Sequence, residues 1–546
     1  MLCCTLQSLV RRGPNPLVES YCCDFSQVEH LYPYNPQDPK AISARHEELS
    51  RSYVTDRQAL ASILRDYNRA MGASAETMSN IEKLQRPDSA VVVGGQQAGI
   101  LTGPLYTIYK AVTIIQLARR YSQDLEIPVI PVFWVASEDH DFQEIDHATI
   151  LDKEDKPLRL RLRQNYEEPR SIKHQPCDER VMALIDCLQA ATGPTQHKDG
   201  IVDHLRTLAQ ESDNLADWFA RVMLWLFRDY GLVLIDPMLS GIRALQQPVM
   251  SFAIARHQQI QDALASGAAD LEKLGCAPQI IKEPPTVDLF IYEDGYRRPL
   301  EPLDAEAQVT TPRGLEKQYS KEDLLREIAR NPEGFSTNVV TRPLAQDVLL
   351  PTLAMVGGPG ELTYLTQLRP VYELYGMKCP PLFPRVNITL VEPAVRRYLD
   401  KFGLSVDELR AGWKDRLEEH LNCADPIDFP GRFDELRKVI EREYAGLLPA
   451  LGEIDKTLVD IGGTNRGKLL EQIDWLEKKT KQLHEGNCRV AVRQFTKMGR
   501  SLVPDGPQER RLNVFPFLFD YSLHLIDCIL EQDLIDTVET EKLLFL

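Results

Sequence analysis

Short apolar runs alternate along the chain with longer stretches of helical period, and that alternation predicts an α/β fold. Val91, Val92 and Val93 form a β-branched run of the kind buried on both faces of a parallel sheet, and Gly94 and Gly95 end it. Thr102-Gly103-Pro104 follows, with Thr102 or Gly103 as helix cap and Pro104 in the first turn, where its missing N–H costs no hydrogen bond. Ile108, Val112, Ile115 and Leu117 continue the helix. The run IPVIPVFWVA at 127–136 is a second buried strand, so 90–136 reads as one right-handed βαβ unit. The run at 231–236 reads as a further parallel strand, and the apolar run at 350–356 leads into the glycine turn that starts at Gly357. Residues 148–163 and 287–299 read as hairpins, the first because Leu158, Leu160 and Leu162 alternate with Arg159, Arg161 and Arg163. Val339 to Pro343 reads as a short strand stopped by proline, a helix is expected from near Glu361 to Tyr375, and Val386 to Val391 reads as a strand.

Upstream, Leu60, Ile63, Leu64 and Tyr67 share one helical face. From about Pro393 to Ser501 the strand signals vanish. Leu436, Ile440, Leu447 and Ile454 are spaced by four and seven, and Leu469, Ile473, Leu476, Thr480 and Leu483 by four and three. With Gly462-Gly463 between the two arms, this predicts an antiparallel helical hairpin with a coiled-coil seam. A long projecting hairpin leaves apolar area to cover, which predicts a homodimer through the coiled coil. The division is thus 1–150 as the first part of the core, 151–335 as connecting insertions with one core strand near 231–236, and 336–392 as the second part of the core. Residues 393–501 form the hairpin, and 502–546 return to the core.

Composition narrows the function. The 546 residues carry a formal net charge of −17, which argues against a nucleic-acid partner. No apolar stretch reaches the roughly 18 residues of a membrane span. The N-terminus lacks the order of a secretory signal, since Arg11-Arg12 follows its apolar part, so a cytoplasmic location is expected. The 11 cysteines include the adjacent pairs Cys3-Cys4 and Cys22-Cys23 but no CxxC, so reduced, partly buried thiols are expected and a zinc site has no support.

Four groups at element ends can carry chemistry. In the first, Gly94 and Gly95 let a ligand approach the backbone, Gln96 and Gln97 offer amides, and Lys110 can reach a phosphate or carboxylate. No dinucleotide or P-loop fingerprint is present, and a glycine turn needed only for packing explains the glycines equally well. The second is Glu138-Asp139-His140-Asp141, with Glu144 and His147 beyond: the carboxylates can hold an ammonium, and His140 can act as general acid or base. Acidic helix capping plus one hydrogen-bonded histidine is the structural alternative. The third is the glycine turn Gly357-Gly358-Pro359-Gly360-Glu361, a second anion cradle, with Arg342, Arg369 and Arg385 nearby as carboxylate partners or structural ion pairs. The fourth, Lys497-Met498-Gly499-Arg500-Ser501, faintly resembles the lysine-rich loop of class I aminoacyl-tRNA synthetases, and a solvated helix end is the structural alternative. No ligand spacing points to a metal.

Together GGQQAGILTGPLYTIYK (94–110), PVFWVASEDHDFQEIDH (131–147) and FSTNVVTRPLAQDVLLPTLAMVGGPGELTYLTQL (335–368), extended by CPPLFPR (379–385), TLVE (389–392) and RRLNVFPF (510–517), resemble the bacillithiol biosynthesis cysteine-adding enzymes, a family of cysteine ligases. The resemblance runs over most of the chain. It implies a Rossmann-like doubly wound core with connecting insertions and a coiled-coil dimerisation hairpin. It further implies an amide bond between the carboxyl of L-cysteine and the amine of glucosaminyl-malate. Carboxyl activation by a nucleotide, ATP or ADP, with magnesium, is expected. On this reading Gln97, Glu138, Asp139 and His140 are catalytic. Gly94, Gly95, Gln96, Thr102, Gly103, Tyr106, Lys110, Gly357, Gly358 and Gly360 hold the nucleotide. Arg342, Glu361, Arg385, Asn387, Arg511 and Asn513 hold the substrates. A nucleotidyl transferase acting on another small acid, or a non-catalytic nucleotide-binding dimeric scaffold, would use the same core.

Overall fold

The computed structural model describes residues 4–10, 15–163, 170–281, 285–425, 427–536 and 540–546. Cys3 and Arg11-Arg12 lie outside them. The chain forms two compact units, Met1–Leu390 with Gln508–Leu546, and Val391–Pro507.

In the first unit, Ala90–Gln96 (β1) is followed by Leu105–Leu125 (α1). Pro104 is itself the helix N-cap, so neither Thr102 nor Gly103 plays that part. Leu101, Thr102 and Gly103 all have positive φ, at 51°, 67° and 71°. Each of the two non-glycine residues stores on the order of 1–3 kcal/mol of strain there. Asn513 holds the loop: its Nδ2 donates to Leu101 O and Gly103 O, both at 2.7 Å. Val129–Val135 (β2), buried throughout, and Val233–Ile235 (β3) continue the core. Leu289–Glu293 (β4) pairs antiparallel with Tyr296–Pro302 (β5), as the hairpin pattern predicts, and also with Phe335–Thr337 (β6).

The stretch expected as a strand around Val339 to Pro343 instead enters the helix Thr341–Leu349 (α2). Asn338 decides this: its Oδ1 accepts from Val340 N at 2.9 Å and Thr341 N at 3.2 Å, and Pro343 falls in the first helical turn, where no N–H is needed. Thr352–Gly357 (β7), Pro359–Tyr375 (α3) and Leu382–Pro384 (β8) complete the core. The parallel sheet runs β8-β7-β1-β2-β3. Chain order reverses between β1 and β7, and the carboxyl ends of these strands flank the crevice where such sheets bind ligands. Packing there is tight. A Cβ at Gly94 would lie 2.8 Å from Val356 O, and one at Gly95 would lie 2.8 Å from Trp134 O, so both glycines serve strand packing.

Asn387–Val391 leaves this sheet and joins Thr5–Val10 and Thr540–Phe545 in another. A disulfide links Cys4 to Cys528, which corrects the expectation of reduced thiols for that pair. Their Cα atoms are brought to 6.6 Å across 524 residues, a proximity that no local spacing announces. Cys177, Cys187, Cys276, Cys379, Cys423 and Cys488 are free thiols. Among the described residues no helix is long and apolar enough to cross a membrane.

The second unit contains Phe429–Ile454 (α4) and Thr457–Asn487 (α5), an antiparallel pair in which Arg437 bridges to Asp474 and Glu477. The turn falls at Asp455, whose Oδ1 accepts from Thr457 N at 2.8 Å. Gly462-Gly463 therefore lies inside α5 and does not separate the arms. Gly462 is small because Leu448 packs on it; a Cβ would meet Leu448 Cδ2 at 2.5 Å. Leu448 and Ile473 are half-buried in the pair, while Leu447, Ile454, Trp475, Leu476 and Leu483 remain exposed. Lys497 to Ser501 sits within the helix Arg489–Leu502, with Gly499 packed against the Trp413 ring.

Candidate active site

A chain of polar contacts crosses the switch point. Lys110, on the first turns of α1, is buried, and its Nζ donates to Glu361 Oε2 at 2.6 Å, Gly95 O at 2.7 Å and Gln96 Oε1 at 3.2 Å. Gln96 Nε2 donates to Gln97 Oε1 at 2.7 Å. Gln97 Nε2 then donates to Glu144 Oε2 at 2.5 Å and Asp139 Oδ2 at 3.2 Å. Each link engages one face of each amide, so the chain has a single hydrogen-bonding sense from Lys110 outward. It joins the ends of β1, β2 and β7. Burial, then the charges of Asp139 and Asp141, push the Glu144 carboxyl above its ordinary range.

The loop after β2 presents three expected residues with different surroundings. Glu138 is buried and lies 2.8 Å from Arg243 Nη2, and its Oε1 accepts from Thr337 Oγ1 at 3.0 Å. It is an interior ion-pair partner, and the expected catalytic contact with substrate is corrected: the inserted strand β6 covers it. Asp139 Oδ1 accepts from the backbone N–H of His140 and Asp141, which shapes the loop and leaves Oδ2 to Gln97. His140 is half-buried, and Arg297 Nη1 lies 2.9 Å from its Nδ1. Burial, then the Arg297 charge, hold the imidazole below its ordinary pKa, against the pull of Asp139 and Asp141. Below this loop Lys173 bridges Asp217 and the fully buried Asp236, which also accepts from Ser137 Oγ.

The chain matches two family models, the bacillithiol biosynthesis BshC N-terminal Rossmann-like domain over residues 3–386 and the BshC C-terminal coiled-coil domain over residues 388–540. The chain belongs to the BshC family. It is 36% identical over 544 residues to the protein named "Putative cysteine ligase BshC" from Symbiobacterium thermophilum, an alignment covering 97% of this chain and 96% of that one. It is 34% identical over 525 residues to the protein of the same name from Heliobacterium modesticaldum, covering 94% and 95%.

The residues that the BshC resemblance points to for a nucleotide are already occupied by the chain itself. At α3, Gly358 N donates to Glu361 Oε2 at 2.8 Å, so a carboxylate of the protein fills the cradle formed by Gly357, Gly358 and Gly360. At α1, Leu105 N donates to Leu512 O at 2.8 Å, and Thr102, Gly103 and Asn513 form a packing knot. Lys110 is engaged with Glu361: burial draws its pKa down while the carboxylate opposes it. As arranged, these donors are engaged within the protein. Among the described residues no cluster of three or more histidine, cysteine, aspartate or glutamate side chains is placed to hold a metal.

The arginines separate in role. Arg385 forms a two-pronged ion pair with Glu509, at 3.1 and 3.2 Å, and its guanidinium stands 5.5 Å from the centre of the Tyr106 ring. It is structural. Arg342 Nη2 donates to Tyr364 Oη at 2.7 Å and Nη1 to Gln346 Oε1 at 3.4 Å; both partners are neutral. The Glu361 carboxylate already acts on its charge. Asn387 is half-buried and Arg511 exposed, on neighbouring segments. Sequence reasoning missed Arg243, Arg297 and Thr337. Only an arginine in an otherwise β-patterned hairpin marked Arg297, and surface strands carry such arginines routinely. A cavity of about 790 Å³ lies away from this rim, beside Pro157–Arg161; its Arg161 and Arg180 are paired with Asp146 and Asp178.

Proposed function

We propose that this chain joins the carboxyl of L-cysteine to the amine of glucosaminyl-malate at the crevice between β1 and β7, as a cytoplasmic cysteine ligase in bacillithiol biosynthesis. The observation that carries the reading is the polarity of the rim. Arg342, hydrogen-bonded to neutral partners and acting on the Glu361 carboxylate, lies toward the α3 end, and Asp139, Asp141 and Glu144 lie at the other. A substrate bearing carboxylates and an ammonium matches that polarity. The names of the relatives supply the cysteine.

The attacking amine must lose a proton before it forms the amide. Glu144, with its raised carboxyl pKa, and Asp139 stand where they can accept it. Gln97 bonds both and fixes their spacing. A carboxylate and an ammonium do not condense in water, so the cysteine carboxyl is activated beforehand. The assay reads both points. Purified protein is incubated with glucosaminyl-malate and L-cysteine, with and without ATP and magnesium, and product is followed by mass spectrometry. Product formed from the two substrates is the expected result, and its dependence on ATP reads how the cysteine carboxyl is activated. No product under either condition, from folded protein, overturns the proposal. Gln97→Ala is expected to cost about 100-fold in kcat, the scale of one lost positioning contact at a reacting centre.

The unit 391–507 completes the proposal with a homodimer. Ile454 and Leu483 are 77% and 72% exposed on the α4–α5 pair, apolar area that a second copy of the hairpin would cover.

A further inference from the structure

We propose that Arg297, a residue of the inserted hairpin, is a positioning residue that fixes His140 as the neutral tautomer protonated on Nε2, so that His140 serves as a hydrogen-bond donor to the reacting acyl oxygen and not as a base. The inference rests on the ligase reading for the identity of that oxygen, and on geometry alone for the tautomer.

A guanidinium has five N–H donors and no acceptor. Its Nη1 lies 2.9 Å from His140 Nδ1, so Nδ1 is the acceptor. A neutral imidazole that accepts at Nδ1 carries its one proton at Nε2. Protonating Nδ1 would set two N–H groups against each other.

Arg297 cannot easily turn away. Its side chain is 8% exposed. Nε donates to Ser336 Oγ at 2.7 Å and Nη2 to Thr337 O at 2.6 Å, both on β6. The guanidinium stacks 3.8 Å from the centre of the Phe290 ring on β4. That ring meets the His140 ring edge-on at 5.4 Å. Three strands of the inserted sheet thus converge on one nitrogen of one histidine. The sheet sits within the long insertion between β3 and β7, and this contact gives it a part in the chemistry.

The charged groups facing His140 are Arg297 from β5 and Asp139 and Asp141 from its own loop. Asp139 accepts backbone N–H groups and the Gln97 amide, and Glu138 turns to Arg243. Among the described residues His140 Nε2 makes no hydrogen bond, which leaves it as the ring's donor to a ligand. Amide formation builds negative charge on the acyl oxygen as the amine attacks, and a fixed N–H donor stabilises that charge without reorganising. Proton removal from the amine then falls to the carboxylates.

The test is imidazole ¹⁵N NMR of the full chain carrying labelled histidine, with the His140 signals identified by their loss in His140→Gln, together with the rate of product formation. In the intact protein near neutral pH, Nδ1 is expected to have the shift of an unprotonated, hydrogen-bonded nitrogen and Nε2 that of an N–H. In Arg297→Gln, His140 is expected to titrate at higher pH in the ¹⁵N spectra, and kcat is expected to fall by about 10–100-fold. Arg297→Lys, which keeps a donor, is expected to retain the tautomer. A protonated Nδ1 in the intact protein at neutral pH overturns the proposal, and that measurement needs no variant to fold. A His140 titration unmoved in folded Arg297→Gln overturns it as well. Full activity in His140→Ala, with the Nε2–H tautomer present in the parent, overturns the catalytic reading of His140 while leaving the tautomer assignment standing.

Discussion

Burial separates residues that a motif makes look alike. Glu138 and Asp139 are adjacent acids, but Glu138 faces a buried arginine and Asp139 faces the rim. Glu138→Gln leaves Arg243 charged and buried without its counter-charge, so a loss of about 3–5 kcal/mol in denaturant unfolding is expected. A variant that kept its stability and lost only activity would return Glu138 to the catalytic group. Glu144 behaves oppositely. Its folded pKa is raised, so the folded state favours the protonated form, and ionisation above the ordinary carboxylate range costs stability. Glu144→Gln is therefore expected to raise the thermal midpoint at pH 8 relative to the parent. The difference should vanish below about pH 3, where both states are protonated. The same substitution removes a candidate base, and activity should fall as stability rises.

Local pattern and local capping compete at the level of elements. The β1–α1–β2 unit, the run at 231–236, both hairpins and the helix after Gly358 follow the hydrophobic period, because that period records which face of an element is buried. The stretch after Asn338 does not. Val339 and Val340 suggest a strand, yet the Asn338 side chain caps a helix start and Pro343 fits its first turn. Asn338→Ala is expected to cost about 1 kcal/mol, the usual worth of such a cap. Asn513 holds the strained turn at Leu101 and Thr102 from more than 400 residues away. Asn513→Ala, which leaves two carbonyls without their donor, is expected to cost on the order of 3 kcal/mol by urea unfolding.

At the scale of the whole molecule, the helical hairpin is legible from its spacing, but its turn is displaced. The two glycines look like a break, yet Gly462 is the small residue that lets Leu448 close the pair. The stripe Leu436, Leu447, Ile454 stays exposed and is a candidate surface for a second copy. Replacing Ile454 and Leu483 by lysine is expected to leave helicity unchanged and to halve the mass in sedimentation equilibrium. An unchanged mass would remove the dimer surface from these residues.

Periodicity alone determined the parallel core, the hairpins and the coiled-coil arms, because burial repeats with the period of the element that produces it. The residues at the strand ends were also legible as a cluster, since loops after parallel strands collect at one edge. Which of them stayed available to a substrate was decided only by tertiary structure. Lys110 meets Glu361 across 251 positions and His140 meets Arg297 across 157. A donor and an acceptor pair by proximity in space, and proximity across such separations follows from how sheets and insertions pack, which no local pattern encodes.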